Sequence, residues 1–348
     1  MTAGRPFPCK RGEKMLKYTM KRLVLMIPVL LGVSFVVFLL MYISPGDPAK
    51  MILGEMAEAK EVEALRESLG LNAGFWERYL NYMKDIVLYG DLGISYATRE
   101  PVLTEVMERF PITLRLASSG VLVSLCIGVP CGIIAATRQY SIFDHVATVL
   151  SLLGNSMPAF WMGILLILVF SVQLGWLPSS GYSSFSYMIL PALTLGTSSA
   201  AVIMRMTRSS MLEVIRQDYI RTARSKGQKE SVVIYFHALK NALIPVITAV
   251  GLQFGMLLGG SILTETIFSV PGIGKLMVDS IKNRNYPIVQ GGVLILAVIF
   301  SFVNLAVDLL YAYVDPRIKS QYRGAKGTLK REKNEEEEEV QGCRKRRS

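Results

Sequence analysis

Residues 146–204 read VATVLSLLGNSMPAFWMGILLILVFSVQLGWLPSSGYSSFSYMILPALTLGTSSAAVIM, a run of 59 residues without a charged side chain. A bilayer core about 30 Å thick needs about 20 helical residues to cross, so the run is too long for one span and long enough for two. It divides at Gly175-Trp176-Leu177-Pro178-Ser179-Ser180-Gly181-Tyr182, where Pro, Gly and Ser punctuate the chain and Trp and Tyr suit a membrane interface. The two halves predict spans at 146–174 and 188–204.

Working outward, the same arithmetic finds four more. Residues 23–43, LVLMIPVLLGVSFVVFLLMYI, are 21 uncharged residues, about 31 Å as a helix. Lys17, Lys21 and Arg22 precede them as in a secretory signal, but a signal's apolar region is about 7 to 15 residues and ends at a small-residue cleavage site. This run is longer and ends in Ser44-Pro45-Gly46-Asp47-Pro48, which predicts an uncleaved first helix. Further spans fall at 116–136, 241–263 and 288–307. The expected fold is all-α, a polytopic membrane protein with six transmembrane helices. Composition agrees, with 51% hydrophobic residues, a mean hydropathy of +0.38 and only 19% charged residues, against about 25% in soluble domains.

Six spans place both termini on one side, together with the connections 137–145 and 205–240. That side holds 27 of the 38 Lys and Arg residues, and basic loops mark the cytoplasmic face. Both termini are therefore expected to be cytoplasmic, and the net charge of +11 records topology rather than a nucleic-acid surface. The chain divides into a basic N-terminal segment, 1–22, a six-span body, 23–318, and a charged tail, 319–348. The tail carries like-charge blocks at 335–339 and 344–347 that predict a solvated, disordered segment. Met15 and Met20 stand nearer the first span than Met1, and nothing in residues 1–14 predicts a fold. Within the external loop, 44–111, residues 55–69 have helical composition ending at Gly70. From 75 to 89, Phe75, Trp76, Tyr79, Leu80, Met83, Ile86 and Val87 recur at helical spacing among charged neighbours. That is an amphipathic helix, packed on the bundle or lying at the membrane surface.

The pattern of chemistry is one of omission. There is no HExxH, GxSxG or paired intramembrane carboxylate. Gly272-Ile273-Gly274-Lys275 is partway to a phosphate loop, but Ser269 stands where Walker A needs Gly and Leu276 where it needs Ser or Thr. A turn explains 270–274 better, and no cofactor is expected on this chain. Cys9, Cys126, Cys131 and Cys343 form no CxxC pair, and His145 and His237 lie apart on charged stretches, so no disulfide framework or metal site is expected. Asp308 stands at the end of the sixth span and Glu265 just beyond the fifth. The lack of ionisable residues at mid-membrane argues against a self-powered secondary carrier. An intramembrane enzyme is equally unsupported.

Three features remain. Pro28, Pro130, Pro158, Pro191 and Pro245 fall in five spans and predict bends. Gly251, Gly255 and Gly259 recur every four residues in the fifth span, so that face is expected to meet another helix closely, within the chain or on a partner. Asn155, Gln253, Gln290 and Asn304 are candidates to line a pathway or to hydrogen-bond between helices. On the cytoplasmic side, Arg216-Gln217-Asp218-Tyr219-Ile220-Arg221-Thr222-Ala223-Arg224-Ser225-Lys226-Gly227 has the composition of a short helix closed by glycine, something a soluble partner can grip.

These residues carry a resemblance. Ile27-Pro28-Val29-Leu30-Leu31-Gly32-Val33, Pro45-Gly46-Asp47-Pro48, Gly90-Asp91-Leu92-Gly93, Arg109-Phe110-Pro111-Ile112-Thr113-Leu114, Arg221-Thr222-Ala223-Arg224-Ser225-Lys226-Gly227, Glu265-Thr266-Ile267-Phe268-Ser269-Val270-Pro271-Gly272-Ile273-Gly274 and Asp315-Pro316-Arg317-Ile318 occur in that order. Over about 21–318 the chain resembles the inner-membrane permease subunits of ABC importers, in the dipeptide, oligopeptide and nickel branch, as the B-type member of a permease pair.

The resemblance implies a bacterial-type inner-membrane location and import of di- or oligopeptides, with nickel or another small solute as the alternative. It implies four kinds of partner: a second homologous permease, two ATPase subunits that use the ATP, an external solute-binding protein, and membrane lipid. It places Arg221, Thr222, Ala223 and Gly227 in the importer coupling loop, which docks into an ATPase groove. The wider family's Glu-Ala-Ala is here Arg-Thr-Ala, so no glutamate contact transfers to Arg221.

Overall fold

In lipid each backbone N–H and C=O must be satisfied within its own segment, so apolar runs of this length fold as helices. The computed structural model describes residues 10–314, Pro45 and Glu55 excepted. The first nine residues, the motif Asp315-Pro316-Arg317-Ile318 and the tail 319–348 lie outside the described residues.

The chain opens with α1 (Lys10–Ile43), then α2 (Pro48–Leu53), α3 (Ala59–Ser68) and α4 (Phe75–Lys84). Asp47 starts α2 by accepting the Ala49 N–H at 3.1 Å, and Pro48 stands in the first turn where its missing N–H is no loss. A π-helical turn, Asp85–Tyr89, continues α4 and stops at Gly90, whose φ of +65° suits a residue without Cβ. After α5 (Val102–Thr137) come α6 (Ile142–Ser156) and α7 (Ala159–Leu166), the latter continued by a π-helical stretch, Ile167–Gln173. The rest is α8 (Ser186–Ile215), α9 (Asp218–Ser225), α10 (Glu230–Val232), a π-helical turn Val233–Ala238, α11 (Leu239–Gly260), α12 (Ile262–Ile267), α13 (Ile273–Lys282) and α14 (Tyr286–Val314).

Among the described residues, five helical segments are long and apolar enough to cross a membrane: Thr19–Ile43, Val102–Thr137, Ser186–Ile215, Glu230–Gly260 and Tyr286–Leu310. The expected third span corrects to a broken one, because α6 and α7 meet at 104°. Pro158 has no N–H to continue the ladder and disfavours helical backbone at Met157, which is extended (φ −81°, ψ 126°). Counted as one crossing, the bent pair is the sixth span. Pro28, Pro130, Pro191 and Pro245 stay inside continuous helices.

Helix boundaries also move outward. α5 starts at Val102, so the first connection closes at Pro101 rather than 111. α8 runs through Arg205 and Arg208 to Ile215, and α10, the π-helical turn and α11 run on without a break from Glu230, which narrows the expected 205–240 loop to 216–229. A charge ends an apolar run, but it does not end a helix that rises beyond the lipid.

Three apolar clusters stack along the bundle. At the end carrying α2 to α4, Leu92, Val102, Val106, Ile273, Met277 and Ile288 pack together. In the middle, Leu116, Leu190, Leu195, Leu257, Leu258 and Phe268 join α5, α8 and α11. At the α9 end, Ile133, Met211, Ile220, Val233, Ala238 and Ala242 close the bundle. Two ion pairs tie helix ends there: Arg22 with Asp308 at 3.0 Å, and Arg208 with the buried Asp144 through Nε and Nη2 at 2.7 and 2.8 Å.

Candidate coupling helix, buried carboxylate and packing seams

Helix α9 stands between α8 and the foot of α11. It is anchored by Ile220, fully buried in the cluster of Ile133, Met211, Val233, Ala238 and Ala242. Its N–H and C=O groups close at Gly227, where φ is +74° and the N–H donates to Arg224 O at 2.9 Å. Three side-chain contacts brace it. Arg224 donates to both oxygens of Glu230, Asn241 Nδ2 donates to Tyr219 Oη at 2.8 Å, and His237 Nε2 pairs with Gln228 Oε1 at 2.7 Å. The outward face presents Asp218, Tyr219, Arg221, Thr222 and Ser225.

Ala223, which the resemblance places in the coupling loop, is half-buried against the chain's own cluster, because it lies three residues from Ile220 on the same face. No atom lies within 4 Å of a Cβ built on Gly227, so what restricts that position is its φ and not crowding.

The glycine face of α11 is only partly a packing face. A Cβ on Gly251 would stand 2.4 Å from Val307 Cγ2 of α14, and one on Gly255 would stand 3.3 Å from Phe300 Cε2 and 3.6 Å from Asn304 Oδ1. At Gly259 the face is open within this chain, since a Cβ there would meet nothing within 4 Å. The pathway candidates are not gathered into one site. Gln253 pairs with Ser199 of α8 at 3.3 Å, Asn304 faces Gly255, Gln290 is half-buried near the start of α14, and Asn155 is exposed at the end of α6.

Sequence reasoning missed a tighter seam. Gly120, Ser124, Gly128 and Gly132 repeat every four residues along α5 and are all buried against α8. A Cβ on Gly128 would stand 2.8 Å from Ala200 O, one on Gly132 2.8 Å from Met204 O and 2.6 Å from Thr207 Cβ, and one on Gly196 2.9 Å from Gly120 O. Here backbone meets backbone. The signal for it is the four-residue spacing of small residues in a span otherwise marked by Pro130.

Glu265 is the second omission. It is fully buried, and its Oε1 accepts the hydroxyls of Thr113 (α5) at 2.8 Å and Ser261 at 3.0 Å. Its Oε2 accepts the Lys275 N–H at 3.1 Å, while Ile273 N–H donates to Thr113 Oγ1 at 2.9 Å. Thr113 and Glu265 thus satisfy the open N–H groups of the α13 N-terminus. Gly272 and Gly274 make room for this, since a Cβ on either would fall within 2.4 and 2.9 Å of the carboxyl group. The turn expected over 270–274 is therefore shaped around the carboxylate. Burial pushes the Glu265 carboxyl above the usual glutamate range, against the pull of its donors.

A pair of family models matches this architecture almost end to end. Residues 128–320 match the binding-protein-dependent transport system inner membrane component, and residues 15–117 match the N-terminal model of the same membrane components. The chain belongs to this family. It is an inner-membrane transport component, not an enzyme. It is 46% identical over 333 residues to the dipeptide transport system permease protein DppB of Alkalihalophilus pseudofirmus, covering 88% of this chain and all of that one. To DppB of Escherichia coli K12 it is 44% identical, over 88% of this chain and 99% of that one. It is also 46% identical to the glutathione permease GsiC of Escherichia coli O6:H1, with the same coverages. A chain from an inward-facing structure of the MetNI methionine ABC transporter superposes with a TM-score of 0.53 at 21% identity, over 62% of this permease and 99% of that chain. That likeness establishes the fold.

Proposed function

We propose that this permease passes di- or oligopeptides into the cell, with ATP hydrolysed on two partner subunits and the solute delivered by an external binding protein. It works beside a second, homologous permease. No cofactor sits on this chain. The names of the dipeptide and glutathione relatives support a peptide-class solute, glutathione being itself a peptide. The observation that carries the coupling role is α9, a braced helix whose outward face is free of the chain's own core. Competition of labelled dipeptide uptake by glutathione, longer peptides and nickel tests the solute. Uptake unaffected by any peptide would overturn it.

Coupling has its own test. Arg221→Glu and Thr222→Trp alter outward side chains only, so each is expected to leave the permease in the membrane with its melting unchanged. Substrate-stimulated ATP hydrolysis should fall by about tenfold, the size of a lost interface anchor. Gly227→Val must hold a positive φ at a cost of about 1–3 kcal/mol and should uncouple by bending the end of α9. Normal ATPase copurification and stimulation in all three variants would remove the coupling role.

Topology follows from the basic-residue split, with both termini and α9 cytoplasmic. Ser95 is a poor external probe because it is fully buried, receiving Asn285 Nδ2 at 2.8 Å. Ala97 and Ser225 are exposed. In a cysteine-free background, Ala97→Cys is expected to label with an impermeant thiol reagent in sealed cells, and Ser225→Cys only after permeabilisation. The reverse pattern would invert the topology.

A further inference from the structure

We infer that α4 and its π-helical continuation are seated in the outer leaflet, so that an apolar stripe of Trp76, Leu80 and Val87 rests on lipid acyl chains. The juxtaposition that carries this is the packing of α4 along α1. It rests on the proposed topology only for which leaflet is meant.

One face of α4 is accounted for. Phe75 meets Phe35, Phe38 and Tyr42 edge-on at ring-centroid separations of 5.9, 5.5 and 5.1 Å. Tyr79 meets Phe35 and Phe38 at 5.5 and 5.4 Å, and Ser34 Oγ reaches Tyr79 Oη at 3.1 Å and Met83 Sδ at 3.5 Å. The contacts on α1 therefore run from Tyr42 back to Ser34, about 12 Å along the helix axis at about 1.5 Å per residue.

That reach fixes the depth. The uncharged stretch of α1, residues 23–43, is just long enough to cross a core of about 30 Å. If residues 34–43 stood in water to keep α4 outside, residues 23–33 would remain, about 16 Å of helix, which crosses nothing. The α1 surface that holds α4 is thus inside the bilayer, and α4 is beside it.

The second face then has a definite neighbour. At helical spacing, Trp76, Leu80 and Val87 form a strip adjoining the α1-facing residues, with Glu77, Asn81, Lys84 and Asp85 on the far side. Trp76 is 65% exposed, Leu80 63% and Val87 72%. Trp76 also stacks on Phe35 at 6.1 Å, which brings the strip to the exposed Leu31, one turn back from Phe35 on the same side of α1. A water-facing helix has no use for such a strip, whereas a helix seated beside α1 in the outer leaflet buries it in lipid, its Phe75 end at the level of Tyr42 holding Glu77 near the headgroups. Arg78 fits this placement, its guanidinium over the Tyr42 ring at 5.6 Å near the end of the span.

The chain has three tryptophans, so Trp161→Phe with Trp176→Phe leaves Trp76 alone as a reporter. The permease is reconstituted in nanodiscs of phosphatidylcholine, plain or brominated along the acyl chains. Trp76 emission is expected to fall by about half or more in the brominated discs, as for an indole held in hydrocarbon, with little quenching by iodide in the water. Equal emission in the two lipids overturns the inference. With strong iodide quenching it would mean a solvated helix, and with none a helix covered by another protein chain. A second measurement does not depend on the tryptophan changes. In a cysteine-free background Glu77→Cys should react with a polar maleimide and Leu80→Cys only with a lipid-soluble one, and equal reaction of both with the polar reagent would again overturn it.

Discussion

Glu265→Ala is expected to lower the stability of the permease by at least about 3 kcal/mol, because several buried donors lose their acceptor together. Thr113 and Ser261 hydroxyls and the Lys275 N–H all converge on this carboxyl group, from α5, the end of α11 and α13. Each unsatisfied buried donor costs about 1–3 kcal/mol, and the lost side chain leaves a void beside Gly272 and Gly274. Glu265→Gln keeps the shape and one acceptor oxygen but turns an NH2 toward at least one donor, so it should fall between the parent and the alanine variant. Thermal melting of the detergent-solubilised permease checks both. An alanine variant that melts with the parent would show that the α13 N-terminus is held by something else.

The sign of the pH dependence follows from the same geometry. Burial raises the carboxyl above its unfolded value, so the folded state holds the proton more tightly between the two. Stability from this group is present below the ordinary glutamate value of about 4.3 and declines as pH rises through the raised one. Glu265→Gln cannot titrate and should flatten that decline.

The spans were legible because lipid leaves few choices: uncharged runs of 20 or so residues must be helical, and their positions can be counted. The break at Pro158 was not, because proline inside a span is compatible both with a bend, as at Pro130, and with a sharp turn, and neighbours decide which. The helix α9 was readable from Asp218 to Gly227, since capping and composition are local properties. That Ala223 faces inward was not, because the side of a short helix that is buried depends on where Ile133 and Met211 lie, and those come from other spans. Glu265 could be noticed as an isolated carboxylate, but Thr113 is 152 positions away and nothing local pairs them.

The seam between α5 and α8 yields the other large effect. A Gly→Ala change in an open helix gains about 1 kcal/mol from backbone entropy, while forcing a Cβ into a closed contact costs about 1–3 kcal/mol. Which term prevails depends on what the new atom meets. At Gly128 and Gly132 it meets carbonyl oxygens of α8 at 2.8 Å, which cannot rotate away, so the helices must separate. Gly132→Val adds two further carbons against Thr207 and is expected to abolish accumulation of folded permease, with Gly128→Ala and Gly132→Ala each losing much of it. At Gly255 the nearest atoms are 3.3 Å away on the Phe300 ring, so Ala should be tolerated and Leu should not. Gly259 meets nothing within 4 Å, and Gly259→Ala should leave the isolated chain as stable as the parent or slightly more so. Size-exclusion profiles of a fluorescent fusion measure the folded fraction across the series. Normal profiles for Gly132→Val would refute the close seam. If Gly259→Ala keeps the chain folded but weakens the assembled importer, that position packs against a partner subunit, and the four-residue glycine pattern of α11 extends beyond the chain that carries it.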